Sequence, residues 1–211
     1  MIKGVIFDLD GVILSTDEYH FLAWKQLADK LNISFDREKN NLLRGISRME
    51  SLEIVLDGRE FSSEQKAAFA AEKNETYRAL LSRMTPSDVS DDVRNTISTL
   101  KSRGIKVAIG SSSKNTKFIL ERVGMINDFD AIADGNDIRK SKPDPEVFLV
   151  AAKRIGLEPS ECIVVEDALA GVDAAVAGGF IPVAIGNAGN HPNVWAKVEK
   201  VSDILSLYNN Q

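Results

Sequence analysis

Five short apolar runs, each closing on small or polar residues, set the pattern of this chain: residues 2–7, 105–109, 129–133, 162–165 and 181–185. Amphipathic stretches separate the later ones, at residues 115–123, 145–155 and 169–177. Strand and helix alternating in this way build βαβ units and a parallel sheet. Strands covered on both faces read as nearly continuous apolar runs, as these do. The expected fold class is α/β, with helices on both sides of a parallel sheet.

One stretch breaks the rhythm. From about residue 15 to residue 84 no buried strand is evident, and the pattern is helical throughout. Tyr19, Ala23, Leu27 and Leu31 recur at helical spacing, with Thr16 placed to cap the helix start. Residues 63–84 form a second long helical stretch, rich in Ala, Glu, Lys and Gln. The return to the sheet comes near Thr85-Pro86, since proline disfavours helix in the residue before it. The domain reading is a Rossmann-like three-layer core at 1–14 and 86–211, with a small all-helical cap at 15–85 inserted after the first strand.

Composition narrows the classes of function. In 211 residues, 44% are hydrophobic and 27% charged, so a core of normal size needs no staple. A net charge of −5 does not suit a nucleic-acid footprint, which takes a clustered basic face. The one cysteine, Cys162, lies in an apolar run and reads as a buried core thiol. Asp8 and Asp10 interrupt the first apolar run early, so no signal peptide or membrane span is expected and a cytoplasmic location is. No coiled-coil repeat is present, so a monomer is expected.

The candidate chemistry sits at the strand ends. Asp8 and Asp10 flank Leu9 and precede Gly11; residues i and i+2 of a strand point the same way, so two carboxylates converge. In parallel sheets that end is where ligands bind. Taken alone, the pair serves equally well as a turn former and a helix cap. The second run opens into Ser111-Ser112-Ser113-Lys114-Asn115, where hydroxyls and N–H groups suit phosphate oxygens, or merely start a helix. Lys142 stands in Lys-Pro-Asp-Pro before the next helix, where most lysines are simply solvated. A second acidic pair, Glu166-Asp167, follows the run at 162–165 and could equally cap the helix near Leu169. Together the four sites supply acids for a hard cation such as Mg²⁺, a lysine for a dianion, and donors for phosphate oxygens. That combination outweighs the four separate structural readings.

These residues, Phe7-Asp8-Leu9-Asp10-Gly11, Ser111, Lys142 and Glu166-Asp167, resemble the four motifs of the haloacid-dehalogenase-like superfamily, and the match runs along nearly the whole chain. In the cap, Glu18-Tyr19-His20-Phe21, Ala23-Trp24, Arg44-Gly45-Ile46-Ser47-Arg48 and Lys73-Asn74 resemble its bacterial β-phosphoglucomutase group, as does Ser113-Lys114-Asn115. Three departures stand out: Ser15 where that group has Asp, Arg44 where it has Lys, and Ser90-Asp91-Asp92-Val93 in place of a Pro-Gly turn. Arg44 bears most on substrate preference, because arginine and lysine differ in reach and hydrogen-bond geometry.

The resemblance implies that Asp8 becomes an aspartyl phosphate and that Asp10 is the general acid/base. It implies Mg²⁺ held by Asp8, Asp10 through its main-chain carbonyl, Glu166 and Asp167. Leu9, Gly45, Arg48, Ser111, Ser112, Ser113, Lys114, Asn115 and Lys142 would bind phosphate or substrate. Thr16, His20, Trp24, Arg44 and Lys73 would belong to the hinge and cap. The implied partners are a phosphorylated hexose and its bisphosphate, with no nucleic acid and no membrane. The implied reaction interconverts β-glucose 1-phosphate and glucose 6-phosphate, with a sugar-phosphate phosphatase as the alternative.

Overall fold

In the computed structural model, which describes residues 1–44 and 46–208, the strands are β1 (Gly4–Phe7), β2 (Lys106–Gly110), β3 (Ala131–Ala133), β4 (Cys162–Glu166), β5 (Ile181–Ile185) and β6 (Ala196–Val198). They form one sheet in the order β3-β2-β1-β4-β5-β6, and every pairing is parallel. Phe7 stands abreast of Ile109 on one side and Val165 on the other. The residues that follow, Asp8, Gly110 and Glu166, therefore stand in one row at the C-terminal edge of the sheet.

Side chains alternate between the two faces. Val5, Phe7, Val107, Ile109, Ile163 and Val165 share one core cluster, which includes Leu100 of α5 (Asp91–Ser102) and Ile119 and Leu120 of α6 (Thr116–Arg122). Ile6, Ala108 and Val164 face the other way, onto Phe148 and Ala151 of α7 (Glu146–Ile155) and Ala174 of α8 (Leu169–Ala177). This is the expected three-layer core.

Between β1 and β2 lie α1 (Asp17–Lys30), α2 (Arg37–Asn41), α3 (Arg48–Leu56) and α4 (Ser63–Leu81). Two of these starts are closed by reciprocal caps, Ser47 with Glu50 and Ser62 with Gln65. Trp24, Leu27, Ala28, Leu52, Val55 and Leu56 form a cluster of their own, separate from the sheet core. Ala23, Tyr77 and Leu81 instead join the main core and fasten the base of the helical layer to it.

The structure corrects the sequence reading in several places. The second strand begins at Lys106, because the Ile105 N–H turns back to the Leu100 carbonyl and ends α5. The third keeps only Ala131–Ala133; Phe129 is buried in the turn before it. β6 was not anticipated. Thr16 does occupy the N-cap of α1, but its side chain makes no capping bond. No helix among the described residues is long and apolar enough to cross a membrane.

Candidate active site

Asp8 continues the ladder of β1, its N–H donating to the Val165 carbonyl at 3.0 Å. Its Oδ1 accepts from Lys142 Nζ at 2.6 Å, and the same ammonium is hydrogen-bonded to Glu166. All three residues are buried. Burial alone would lower Lys142, but the two carboxylates outweigh it and hold the ammonium above its usual range. Glu166 is pushed up by burial; Lys142 opposes that shift and Asp8 adds to it. Its other oxygen accepts from the Ala168 N–H at 3.0 Å, so it does reach toward the start of α8.

Asp167 stands beside this pair. Burial, reinforced by Asp8, Glu166 and Asp10, raises it to about 8, with Arg44 pulling the other way. Asp8, Glu166 and Asp167 each present a carboxylate oxygen within 4.8 Å of the others. Glycines make room for them. A Cβ on Gly171 would lie 1.9 Å from the Glu166 carboxyl carbon, and one on Gly11 2.1 Å from an Asp167 oxygen. Gly11 also has φ +85°, which favours glycine. A cradle of three hard oxygen donors suits a Mg²⁺-like cation.

Asp10 faces the cap. Thr16 donates to it twice, from its N–H to Oδ1 at 2.6 Å and from its hydroxyl to Oδ2 at 2.7 Å. Tyr77 donates to the Thr16 hydroxyl oxygen at 3.0 Å. Burial raises Asp10 to about 6, against the lowering effect of the two Thr16 bonds. The His20 ring packs tilted against that of Tyr77, centroids 4.1 Å apart, and its Nδ1 lies 2.9 Å from Lys73 Nζ. Lys73 is buried over the rings of Tyr77 and Trp24, at 4.4 Å and 4.7 Å. Burial and the Arg48 charge hold its amine well below the lysine range. Burial likewise, with Lys73 and Arg48, drives His20 well below its ordinary value.

The serine loop after β2 is tied to the turn after β3. Ser111 N–H donates to the Ala133 carbonyl, Gly135 N–H to the Ser113 carbonyl, and Asn136 Nδ2 to the Lys114 carbonyl. The Ser111 hydroxyl oxygen accepts from Ser113 N–H at 3.2 Å, and that of Ser113 from Asn115 N–H at 3.2 Å. A hydroxyl that accepts in this way keeps its own proton to donate. Asn115 is committed to the cap: Nδ2 donates to Asn74 Oδ1 at 2.9 Å, and Oδ1 accepts from Arg78 at 3.2 Å.

One cavity of about 420 Å³ joins these groups. Asp8, Asp10, Lys142, Glu166 and Asp167 line its floor, and Ser111, Ser112, Ser113, Lys114 and Asn115 one side. From the cap come His20, Trp24, Arg44, Arg48 and Lys73. Two of the expected residues stand off the wall: Leu9 has its side chain in the core, and Thr16 lies behind Asp10. Gly45 lies outside the described residues. Sequence reasoning missed Tyr77, Asp17 and Asn40, all on the wall. Tyr77 had a signal, since it sits four residues after Lys73 on the same helix face.

Parallel strands that end in a nest of carboxylates, a buried lysine and a serine loop make a cleft with the donors to hold a hard cation beside an anion. The chain belongs to the haloacid dehalogenase-like hydrolases, whose family model matches residues 2–179. It is 44% identical to the β-phosphoglucomutase of Bacillus subtilis (strain 168) over 188 residues, 87% of this chain and 83% of the relative. Its structure superposes on that of a β-phosphoglucomutase from Clostridium difficile with a TM-score of 0.93, at 38% identity, covering 100% of this chain and 98% of the other. It is also 32% identical to a fructose-1-phosphate phosphatase of Escherichia coli (strain K12), over 84% of this chain and 93% of that protein.

Proposed function

We propose that this enzyme is a phosphosugar mutase that interconverts β-D-glucose 1-phosphate and glucose 6-phosphate through an aspartyl phosphate and glucose 1,6-bisphosphate. The observation that carries the reading is one cavity lined by two sets of anion-binding side chains. Asp8 and Lys142 line it, and so do Arg48 from the cap and Ser113 and Lys114 from the core, which together suit a second phosphate. A mutase needs both, because its bisphosphate must turn round and present its other phosphate. The relatives named β-phosphoglucomutase support the same reading.

From glucose 1,6-bisphosphate an Asp8 oxygen attacks the 1-phosphoryl phosphorus and the bond from phosphorus to the sugar O1 breaks; Asp10 gives its proton to that oxygen and glucose 6-phosphate leaves. In the other half-reaction Asp10 takes the proton from the 6-hydroxyl of β-glucose 1-phosphate as that oxygen attacks the aspartyl phosphate, which re-forms the bisphosphate and frees Asp8. A carboxyl near pH 6 is suited to both duties, and such help is typically worth about 10²–10⁴-fold. Lys142 and Ser111 hold phosphoryl oxygens where charge spreads in the transition state. Arginine at Arg48 suits bidentate grip of the distal phosphate. The cap residues His20, Trp24 and Lys73, with Thr16 at the hinge, bring Asp10 into place as the cleft shuts and keep water from the aspartyl phosphate.

The carboxylate cradle fits Mg²⁺, which Asp8, Glu166 and Asp167 would hold together with the main-chain carbonyl of Asp10. It would supply charge neutralisation between a carboxylate nucleophile and a phosphate dianion.

The test is turnover of β-glucose 1-phosphate with catalytic glucose 1,6-bisphosphate, following glucose 6-phosphate and free phosphate together. Glucose 6-phosphate in large excess is the expected result. Dominant free phosphate would replace this reading with the phosphatase that the E. coli relative represents. Arg48→Ala is expected to slow the mutase reaction far more than hydrolysis of the aspartyl phosphate.

A further inference from the structure

Asp17, Asn40 and Arg44 form a polar cluster on the cap that the reaction above does not use. Asp17 opens α1, and its two oxygens are divided between two partners. Oδ1 accepts from Asn40 Nδ2 at 3.1 Å and Oδ2 from Arg44 Nη2 at 2.8 Å. Asn40 is buried, and its own Oδ1 finds no partner among the described residues. Among them its amide is held by the donor edge, which is turned to Asp17. So anchored, Asp17 fixes one arm of the Arg44 guanidinium. The other arm, Nη1, crosses the cleft to within 3.7 Å of Asp167 Oδ2. Arg44 is therefore a cap cation set against a core carboxylate that belongs to the proposed cation cradle.

We propose that Arg44 is a positioning residue that latches the cap to Asp167 when the cradle holds no metal, and that gives way when a divalent cation takes Asp167. The inference rests on the reading of Asp8, Glu166 and Asp167 as a cation site, and it adds a coupling between that site and cap position. A guanidinium reaches farther than an ammonium and uses two edges at once, which is what this bridge requires. The pair at Asp17 supplies the fixed edge, and the edge toward Asp167 is the releasable one. Cap and core also meet at Asn115, through Asn74 and Arg78, but that contact involves no member of the cradle. Only the Arg44 bridge, among the described ion pairs, joins a cap residue to a cradle carboxylate.

The experiment compares wild type, Arg44→Gln and Arg44→Lys in chelator at low ionic strength and pH 9, above the value of about 8 to which burial raises Asp167, by small-angle scattering, followed by calorimetric titration with Mg²⁺ alone. Arg44 is partly exposed, so the variants are expected to fold, which far-ultraviolet circular dichroism verifies. Without cation, Arg44→Gln is expected to show a larger radius of gyration than wild type, and Arg44→Lys to lie nearer wild type. Mg²⁺ is expected to bind Arg44→Gln 3- to 10-fold more tightly, because no resident cation must be displaced. Equal dimensions for wild type and Arg44→Gln in chelator overturn the latch. Equal Mg²⁺ affinities overturn the competition. If neither protein binds Mg²⁺, the cradle reading itself fails, and the scattering comparison still decides whether Arg44 closes the cap.

Discussion

Thr16 holds both oxygens of Asp10, its N–H at 2.6 Å from one and its hydroxyl at 2.7 Å from the other. The residue that starts the cap's first helix is thus the one that orients the proposed acid/base. Because Tyr77 of α4 donates to the same hydroxyl, two cap helices bear on one carboxylate.

Replacing Thr16 by Val removes the hydroxyl bond and keeps the shape. That bond lowers Asp10, so its loss moves the carboxyl further above about 6. The limb of the pH–rate profile that reports Asp10 is expected to shift to higher pH. The rate is expected to fall by about 10- to 100-fold, part of the ~10²–10⁴ that acid–base help supplies. An unmoved limb in kcat against pH would detach Thr16 from Asp10.

Lys73→Met is expected to flatten stability against pH. In the unfolded chain a lysine keeps its proton to about pH 10. Buried in the folded enzyme it releases that proton well below the usual value. Between the two limits the unfolded chain binds more protons, so wild type gains stability as pH rises, with a slope approaching ~1.4 kcal/mol per unit. Denaturant unfolding at pH 7, 8.5 and 10 should show this gain in wild type and a smaller one in the variant. Parallel curves would mean that Lys73 stays charged in the fold.

Gly135→Ala tests the serine loop. An added Cβ would lie 2.3 Å from the Ser112 carbonyl oxygen, and backbone must shift to admit it. The expected cost is about 1–3 kcal/mol of stability, as for other overpacked sites. Affinity for phosphate esters should fall as well, because the loop moves with its carbonyl. A variant with wild-type KM and melting temperature would show that the loop yields freely.

Asp137 and Arg154 make two hydrogen bonds, at 2.6 Å and 2.8 Å, that tie the turn after β3 to α7. The Arg154 bond holds Asp137 down to about 2, against a usual 3.8. A depressed carboxyl contributes stability that is present above its unfolded value and is lost as pH falls through the folded one. Asp137→Asn is expected to cost ~1 kcal/mol or less near neutrality, since solvent screens the pair. Its melting temperature should approach that of wild type as pH falls through about 2 and meet it below that. A gap that persists there would point to packing instead of charge.

Much of this was readable from the chain because buried parallel strands write themselves as apolar runs, and the acids follow two of those runs directly. β6 was not readable: it has three residues with Lys197 at its centre, so no run exists to notice. Thr16 looked like an ordinary cap residue, since nothing local shows that its hydroxyl reaches back to Asp10. Lys73 was singled out, yet its burial beneath Trp24 and beside His20 depends on how α1 and α4 pack. Asp17 and Asn40 gave no signal, because 23 residues separate them and a surface acid is the ordinary expectation.

The sheet ends on both sides in strands of three residues, β3 and β6. Strands this short offer a neighbouring chain few unpaired backbone groups to zip onto. The somewhat longer strands β2, β1, β4 and β5 are walled in between them, and the ends of β1, β2 and β4 carry the carboxylates and the serine loop. A sheet built this way resists edge-to-edge aggregation while it is folded, so partial unfolding that peels away β3 or β6 would be the step that exposes a sticky template.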